Sequence, residues 1–212
     1  ATVEGVTRVA PLVRQQVMAN RRQSNAGVEV FGIASDDLMT IPGIQPSERS
    51  FGDITRFEEG MAIGSGVAQS LGVQVGDSVK LISPNGVKTA FGTSPRVNAY
   101  EVVYIFSAGR YDIDKTRVYL PITEAQSFFN REGVADELEV MVEDPEGVDA
   151  MAPALMQAAG ERAQVWTWRD ASSSFLSALD IEDRVMFVIL SVLVLIAAMN
   201  IVSGLIMLVK NK

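Results

Sequence analysis

MAIGSGVAQSLGVQVGDSVKLISP, residues 61–84, carries the local signals that decide the fold. Met61, Ala62 and Ile63 form a short apolar run of strand type. Ser65 stands where a helix cap belongs, and the helix it opens is expected to run to about Leu71. Gly72 supplies the left-handed residue that ends such a helix. Gly76-Asp77 makes a tight turn. Val79 and Leu81 then alternate with polar neighbours, as in a half-buried strand, until Ser83-Pro84 stops it. Strand, helix, turn and strand in quick succession point to an α+β domain. Gly64-x-Gly66 begins like a dinucleotide fingerprint, but Gln69 stands where the third glycine belongs and no suitable acidic residue follows a second strand. The two glycines are therefore read as structural.

Upstream, residues 6–17 and 28–33 read as strands joined by a polar turn over 21–27. Residues 39–50 contain Pro42, Gly43 and Pro46 and read as irregular. Downstream, NGVKTAFGTSPRVN, residues 85–98, reads as a long polar loop, and 100–106 as the strand that returns from it. Loops of this length inside a hairpin are unusual and often functional. Phe91 sits at its centre beside Gly92 and Pro95, either tucked back on the domain or offered to a partner. Asp112 and Asp114 lack the glycine and terminal glutamate of a calcium loop and read as a turn with solvated carboxylates. Residues 118–120 read as a strand, and Pro121 opens a helix to about Asn130. Residues 138–142 alternate as a half-buried strand, and 147–159 form a helix that tolerates Pro153 only in its first turn or at a kink. Residues 164–168 read as a last strand, with Trp166 and Trp168 on one face packing into a core. Asp170 or Ser172 caps a helix beginning near Ser173.

From there no proline interrupts the chain. VMFVILSVLVLIAAMNIVSGLIMLV, residues 185–209, carries no charge. Roughly 25 residues at about 1.5 Å each span about 37 Å, against a hydrocarbon core of about 30 Å. The stretch reads as a transmembrane helix. Lys210 and Lys212 follow it, which favours a cytoplasmic C-terminal end and an outer domain beyond the membrane. Ala197, Asn200, Ser203 and Gly204 share one helical face, a small and polar surface suited to packing on another membrane helix. The expected organisation is an outer domain over residues 1–172, a connecting helix over 173–184, the membrane helix over 185–209 and a cytoplasmic end at 210–212. Because it starts at Ala1 rather than Met, the chain reads as cut from a longer protein.

Composition narrows the chemistry. The 212 residues include no cysteine and no histidine. Disulfides, thiolate metal sites, Ser-His-Asp and Cys-His catalysis and imidazole-ligated metals are therefore excluded. No carboxylate pair is recognisable as a catalytic unit, so no catalytic residue, metal or cofactor is expected. A net charge of −8 disfavours nucleic acid as a partner.

Ile63-Gly64, Ala68, Leu71-Gly72-Val73, Gly76-Asp77 and Leu81-Ile82-Ser83-Pro84 resemble the permease subunits of the lipoprotein-releasing ABC transporter, the LolC/LolE family. So do Arg184-Val185-Met186-Phe187, Asn200-Ile201-Val202-Ser203 and Met207-Leu208-Val209-Lys210 in the tail. MacB-like and FtsX-like permeases are the wider relatives. The resemblance implies a two-lobed MacB-like periplasmic domain followed by one transmembrane helix, the second of four in the whole permease, in the bacterial inner membrane with residues 1–184 in the periplasm. It implies a non-catalytic subunit that works with a separate cytoplasmic ATPase subunit and a second permease copy or paralogue. Lipoproteins extracted from the bilayer would be passed to a periplasmic carrier. A hairpin hook that binds the carrier maps onto Thr89, Ala90, Phe91, Gly92 and Pro95, with Arg96 and Asn98 as an adjacent polar pad. Met186, Phe187 and Leu190 would line the lipid-facing opening for acyl chains. The alternative is a MacB/FtsX-like mechanotransmission permease that docks a periplasmic adaptor or hydrolase activator.

Overall fold

The computed structural model describes residues 3–89, 92–160 and 163–210. In chain order the elements are β1 (Val6–Arg21), β2 (Ser24–Ile33), α1 (Ser35–Leu38), β3 (Phe51–Gly52), a 3-10 helix (Ile54–Glu59), β4 (Met61–Gly64), α2 (Ser65–Leu71), β5 (Ser78–Thr89), β6 (Gly92–Phe106), α3 (Tyr111–Thr116), β7 (Arg117–Pro121), α4 (Ile122–Phe129), β8 (Glu137–Val142), α5 (Val148–Ala159), α6 (Trp168–Ala171) and α7 (Ser173–Lys210). The chain packs as two compact units. One is Val6–Glu143; the other comprises Ala1–Gly5 and Asp144–Lys212.

In the first unit the strands pair in the order β2-β7-β4-β6-β5-β1-β8, with β3 alongside β6. β1 also pairs with β2, from Val13↔Gly32 to Arg21↔Ser24, so the sheet closes into a ring. Closure gives each ringed strand a partner on both sides over part of its length. Side chains alternate between the two faces of the ring. Val28, Val30, Ile63, Val118 and Leu120 pack with Val67 and Leu71 of α2 and Phe128 of α4. Phe31, Ile33, Ala62 and Tyr119 pack instead with Leu38 of α1 and Phe57 of the 3-10 helix. A bulge in β6 shifts this alternation. Met61 pairs with Val102 and Ala62 with Tyr104, so Tyr100 and Val102 face the first cluster but Tyr104 and Phe106 the second.

The helix ending at Leu71 forms as expected, and Gly72 closes it with φ 64° and ψ 41°. Its cap differs from the sequence reading. Gly64 is the cap residue, no side chain caps the helix, and Ser65 is its first residue. The Gly64-x-Gly66 pair serves the packing of α3. A Cβ on Gly64 would overlap the backbone carbonyl of Asp114, and one on Gly66 would lie 2.9 Å from that oxygen. Residues 111–116 thus form a helix rather than the expected turn. Asp114 is not simply solvated: its carboxylate accepts from the Ala108 backbone N–H at 2.7 Å.

In the second unit, α5 begins at Val148 with Gly147 as its cap residue, and Pro153 lies inside the helix beyond its first turn. The strand expected over 164–168 is absent. Residues 163–167 are irregular, Trp166 is 75% exposed, and Trp168 opens α6. Alternating residues need a partner strand as well as a period, and none pairs here among the described residues. Asp170 caps α6 rather than the long helix. Its carboxylate accepts from the Thr167 backbone N–H at 2.8 Å while Thr167 Oγ1 accepts from Asp170 N at 3.3 Å, a reciprocal capping box that holds the Asp170 pKa low. α7 then runs unbroken for 38 residues, about 57 Å.

Substituting Gly64 tests the α3 contact. Gly64→Ala is expected to destabilise the domain by about 2–3 kcal/mol in urea unfolding, because the obstacle is backbone and cannot rotate away. Gly27→Ala, where a Cβ meets nothing within 4 Å, should change stability by less than about 0.5 kcal/mol.

Candidate functional site

The segment read as a long loop is a hairpin arm. β5 and β6 stay paired outward to Thr89↔Gly92, leaving Ala90 and Phe91 at the tip, outside the described residues. β1 accompanies β5 only as far as Met18↔Ile82. Beyond that point no other strand pairs with the arm among the described residues.

A bulge separates arm from ring. Ser83 pairs with Arg96 and Val87 with Ser94, so Pro84, Asn85 and Gly86 stand opposite Pro95 alone. Pro95 has no N–H to offer a ladder, and a bulge is where a strand tolerates it. Gly86 is required at the same point: a Cβ there would overlap the carbonyl oxygen of Ser94.

Arg96 fixes the base of the arm. Its Nη1 donates to the backbone carbonyls of Ser127 at 2.6 Å and Phe128 at 3.1 Å, in the last turn of α4. Those carbonyls carry the negative end of the helix dipole, and Asn130 in the left-handed region (φ 57°) ends the helix. The guanidinium expected in a polar pad is therefore engaged by the fold. Exposed Asn98 donates to the Tyr100 hydroxyl at 3.2 Å, which in turn donates to Glu124 Oε1 at 3.1 Å. Partial burial raises the Tyr100 pKa to about 12 despite the Asn98 bond, keeping the hydroxyl a donor. Tyr100 and Glu124 were not singled out from sequence; neither carries a motif, and only the pairing of β6 with α4 brings them together. Pro84, Pro95 and Val97 are exposed on the arm and its root.

The second set of expected residues lies on α7. Met186, Phe187 and Leu190 are exposed, Phe187 by 72%, and Ala197, Asn200, Ser203 and Gly204 are exposed as well. The 18-residue window that makes Ser173–Met207 a candidate span has none of its residues buried in the protein, and this is one helix long and apolar enough to cross a membrane. Among the described residues no group of His, Cys, Asp and Glu could hold a metal ion.

The MacB-like periplasmic core domain matches residues 1–158 of this sequence. The chain belongs to that family. Similarity to curated proteins extends the match through the MacB-like domain into the apolar helix. The lipoprotein-releasing system transmembrane protein LolC of Neisseria meningitidis serogroup B is 29% identical over 99% of this chain and 51% of its own length. LolE of Haemophilus influenzae is 25% identical over 96% of this chain and 49% of its own length. The chain thus spans about half the length of the curated relatives it matches. The extracellular domain of the noncanonic ABC-type transporter YknZ from Gram-positive bacteria aligns at 16% identity with a TM-score of 0.48, over 76% of this chain and 80% of that one. The family model and the curated relatives together support a MacB-like permease of the LolC/LolE family, an inner-membrane protein with a periplasmic segment. The α+β MacB-like domain and the single C-terminal apolar helix agree with the architecture expected from sequence.

If Arg96 anchors the arm of the MacB-like domain, Arg96→Ala should speed amide exchange along 92–98 by about tenfold. That is the loss expected for charge-assisted bonds worth about 1.5 kcal/mol. Exchange in β2 and β7 should be unchanged.

Proposed function

We propose that this chain is the periplasmic domain and second membrane helix of an ABC-transporter permease that extracts lipoproteins from the inner membrane and passes them to a periplasmic carrier. One observation carries the reading: similarity to a lipoprotein-releasing transmembrane protein covers 99% of the chain, from the MacB-like domain through the apolar helix. A protein similar only in its outer domain would leave the helix, and so the lipid step, unsupported.

In this reading the β5–β6 arm is the hook. Thr89, Ala90, Phe91, Gly92 and Pro95 form its distal end and engage an apolar cavity of the carrier, with Asn98 beside it and Arg96 setting its base. Met186, Phe187 and Leu190 face acyl chains leaving the bilayer. Ala197, Asn200, Ser203 and Gly204 pack on another membrane helix of the same or a second permease subunit, a copy or a paralogue. ATP hydrolysis belongs to a separate cytoplasmic subunit, so residues 210–212 lie on the side where that subunit works.

Phe91→Glu tests the hook. A charge replacing an aromatic anchor removes about 2 kcal/mol or more of binding, roughly 30-fold in affinity. Titration with purified carrier should register that loss while the thermal unfolding of the domain stays put. Unchanged affinity would remove the arm from the carrier interface.

The unbroken α7 favours a second reading, in which the helix transmits movement to a docked periplasmic adaptor or hydrolase activator and no lipid enters. A photoreactive residue at Phe187 separates the two. Lipoprotein release predicts crosslinks to acylated substrate in membranes, and transmission alone predicts crosslinks to bulk phospholipid or protein only.

A further inference from the structure

Two adjacent side chains of α6, at the root of α7, are fastened to the segment that leads into α5. Trp168 Nε1 donates to the Pro145 carbonyl at 2.7 Å. Arg169 Nη2 donates to the Glu146 carboxylate at 2.9 Å and to the Glu146 carbonyl at 3.2 Å, while its buried Nε lies 3.4 Å from Asp149 Oδ2. The same guanidinium stacks over the Trp168 ring, 5.0 Å from its centroid. The Thr167–Asp170 capping box fixes the backbone that presents both side chains. Gly5 joins this unit too, since a Cβ on it would lie 3.2 Å from Met151 Cε of α5.

The contacts of Trp168 and Arg169 with residues 145–149 bridge segments that the chain separates by more than a helix. Segment 145–149 leads into α5 and includes its first residues, and 167–170, the cap and body of α6, precedes α7. α5 itself offers little else to hold it, for none of its residues is fully buried. A helix without a buried face is positioned by what grips its ends. Here the grip is polar and directional, and it sits at the exact base of the helix that runs on into the membrane.

We infer that Trp168 and Arg169 form a clip that makes α5 and the root of α7 one mechanical body, so that a displacement of α7 carries α5 with it. Loss of the clip would leave each helix intact but free to move separately. The clip concerns movement within this unit and stands whether the permease releases lipoproteins or only transmits motion. Its use in transport rests on the permease reading.

The chain has no native cysteine, so paired labels report the clip directly. Nitroxides at Gln157→Cys and Ser177→Cys, both exposed positions, give the α5–α7 distance distribution by pulsed electron resonance on the whole chain in detergent. A narrow distribution is expected, with Arg169→Ala widening it at least twofold. Arg169→Lys, which keeps the charge but cannot bond to Glu146 and Asp149 together, should fall between. A distribution already broad before mutation overturns the proposal, because the helices would not be one body. A narrow distribution unchanged by Arg169→Ala, with circular dichroism reporting a folded chain, overturns it as well. Should Arg169→Ala fail to fold, the lysine variant decides by the same two criteria. Carrier titration with the arm variant is a separate measurement, so failure of the clip and failure of the functional reading are distinguishable.

Discussion

Among the described residues nothing covers the apolar surface of α7. From Val185 to Val209 large aliphatic and aromatic side chains point outward in every direction, most of them about half exposed or more. Burying each such side chain is worth about 1.5–3 kcal/mol. The sum reaches tens of kcal/mol, more than the whole folding stability of an ordinary domain, about 5–15 kcal/mol. No rearrangement of the remaining chain could recover that in water. A bilayer can, and it also demands what α7 supplies, a backbone whose hydrogen bonds are closed within the helix. The location of the helix is thus a solvent argument first and a family argument second.

Membrane placement gives meaning to the division of the chain. The unit that owns α7 also owns residues 1–5, while the β ring occupies the stretch between. The ring is therefore reached by two covalent connections, at 5/6 and 143/144, both arising from the unit that is rooted in α7. Its own stability needs neither. β1 closes the sheet by pairing with β2 and β5, and the two apolar clusters fill both faces with residues from within 6–143. A domain with a self-sufficient core can be displaced as a body without being unfolded.

Local signals made the stretch 61–84 legible. A left-handed glycine after a helix and a glycine-aspartate turn are fixed by backbone sterics that act within a few residues. What needed a partner was not legible. Trp166 and Trp168 alternate as strand residues do, but no strand receives them; the capping pattern Thr167-x-x-Asp170 was the competing signal, and it prevailed. The 85–98 stretch looked like a loop because its two glycines and its proline are turn residues. In the fold, Gly86 and Pro95 mark a bulge instead, and the β-branched Val87, Thr89 and Thr93 lie in the ladder around it. Arg96 was placed in a polar pad beside the hairpin, because the carbonyls that receive it belong to a helix about 30 residues further on. Spacing placed Ala197, Asn200, Ser203 and Gly204 on one helical face, and among the described residues nothing covers it.

The arm's geometry bears on how it could recognise anything. A flexible loop of this length would lose backbone freedom on binding, about 1–2 kcal/mol for each residue ordered, and that cost would be set against any contact at its tip. The arm has already met most of it. Its strands are paired to the residues flanking the tip, its bend is set by Gly86 opposite Pro95, and its root is tied by Arg96 to the end of α4. Rigidity here comes from the ladder and the anchor and does not depend on a proline at the tip itself. The Asn98–Tyr100–Glu124 chain extends the same hold one residue pair inward, with the tyrosine hydroxyl kept protonated by its partial burial. Backbone order along the arm is thus set before any contact at its end, and Arg96 is part of what sets it.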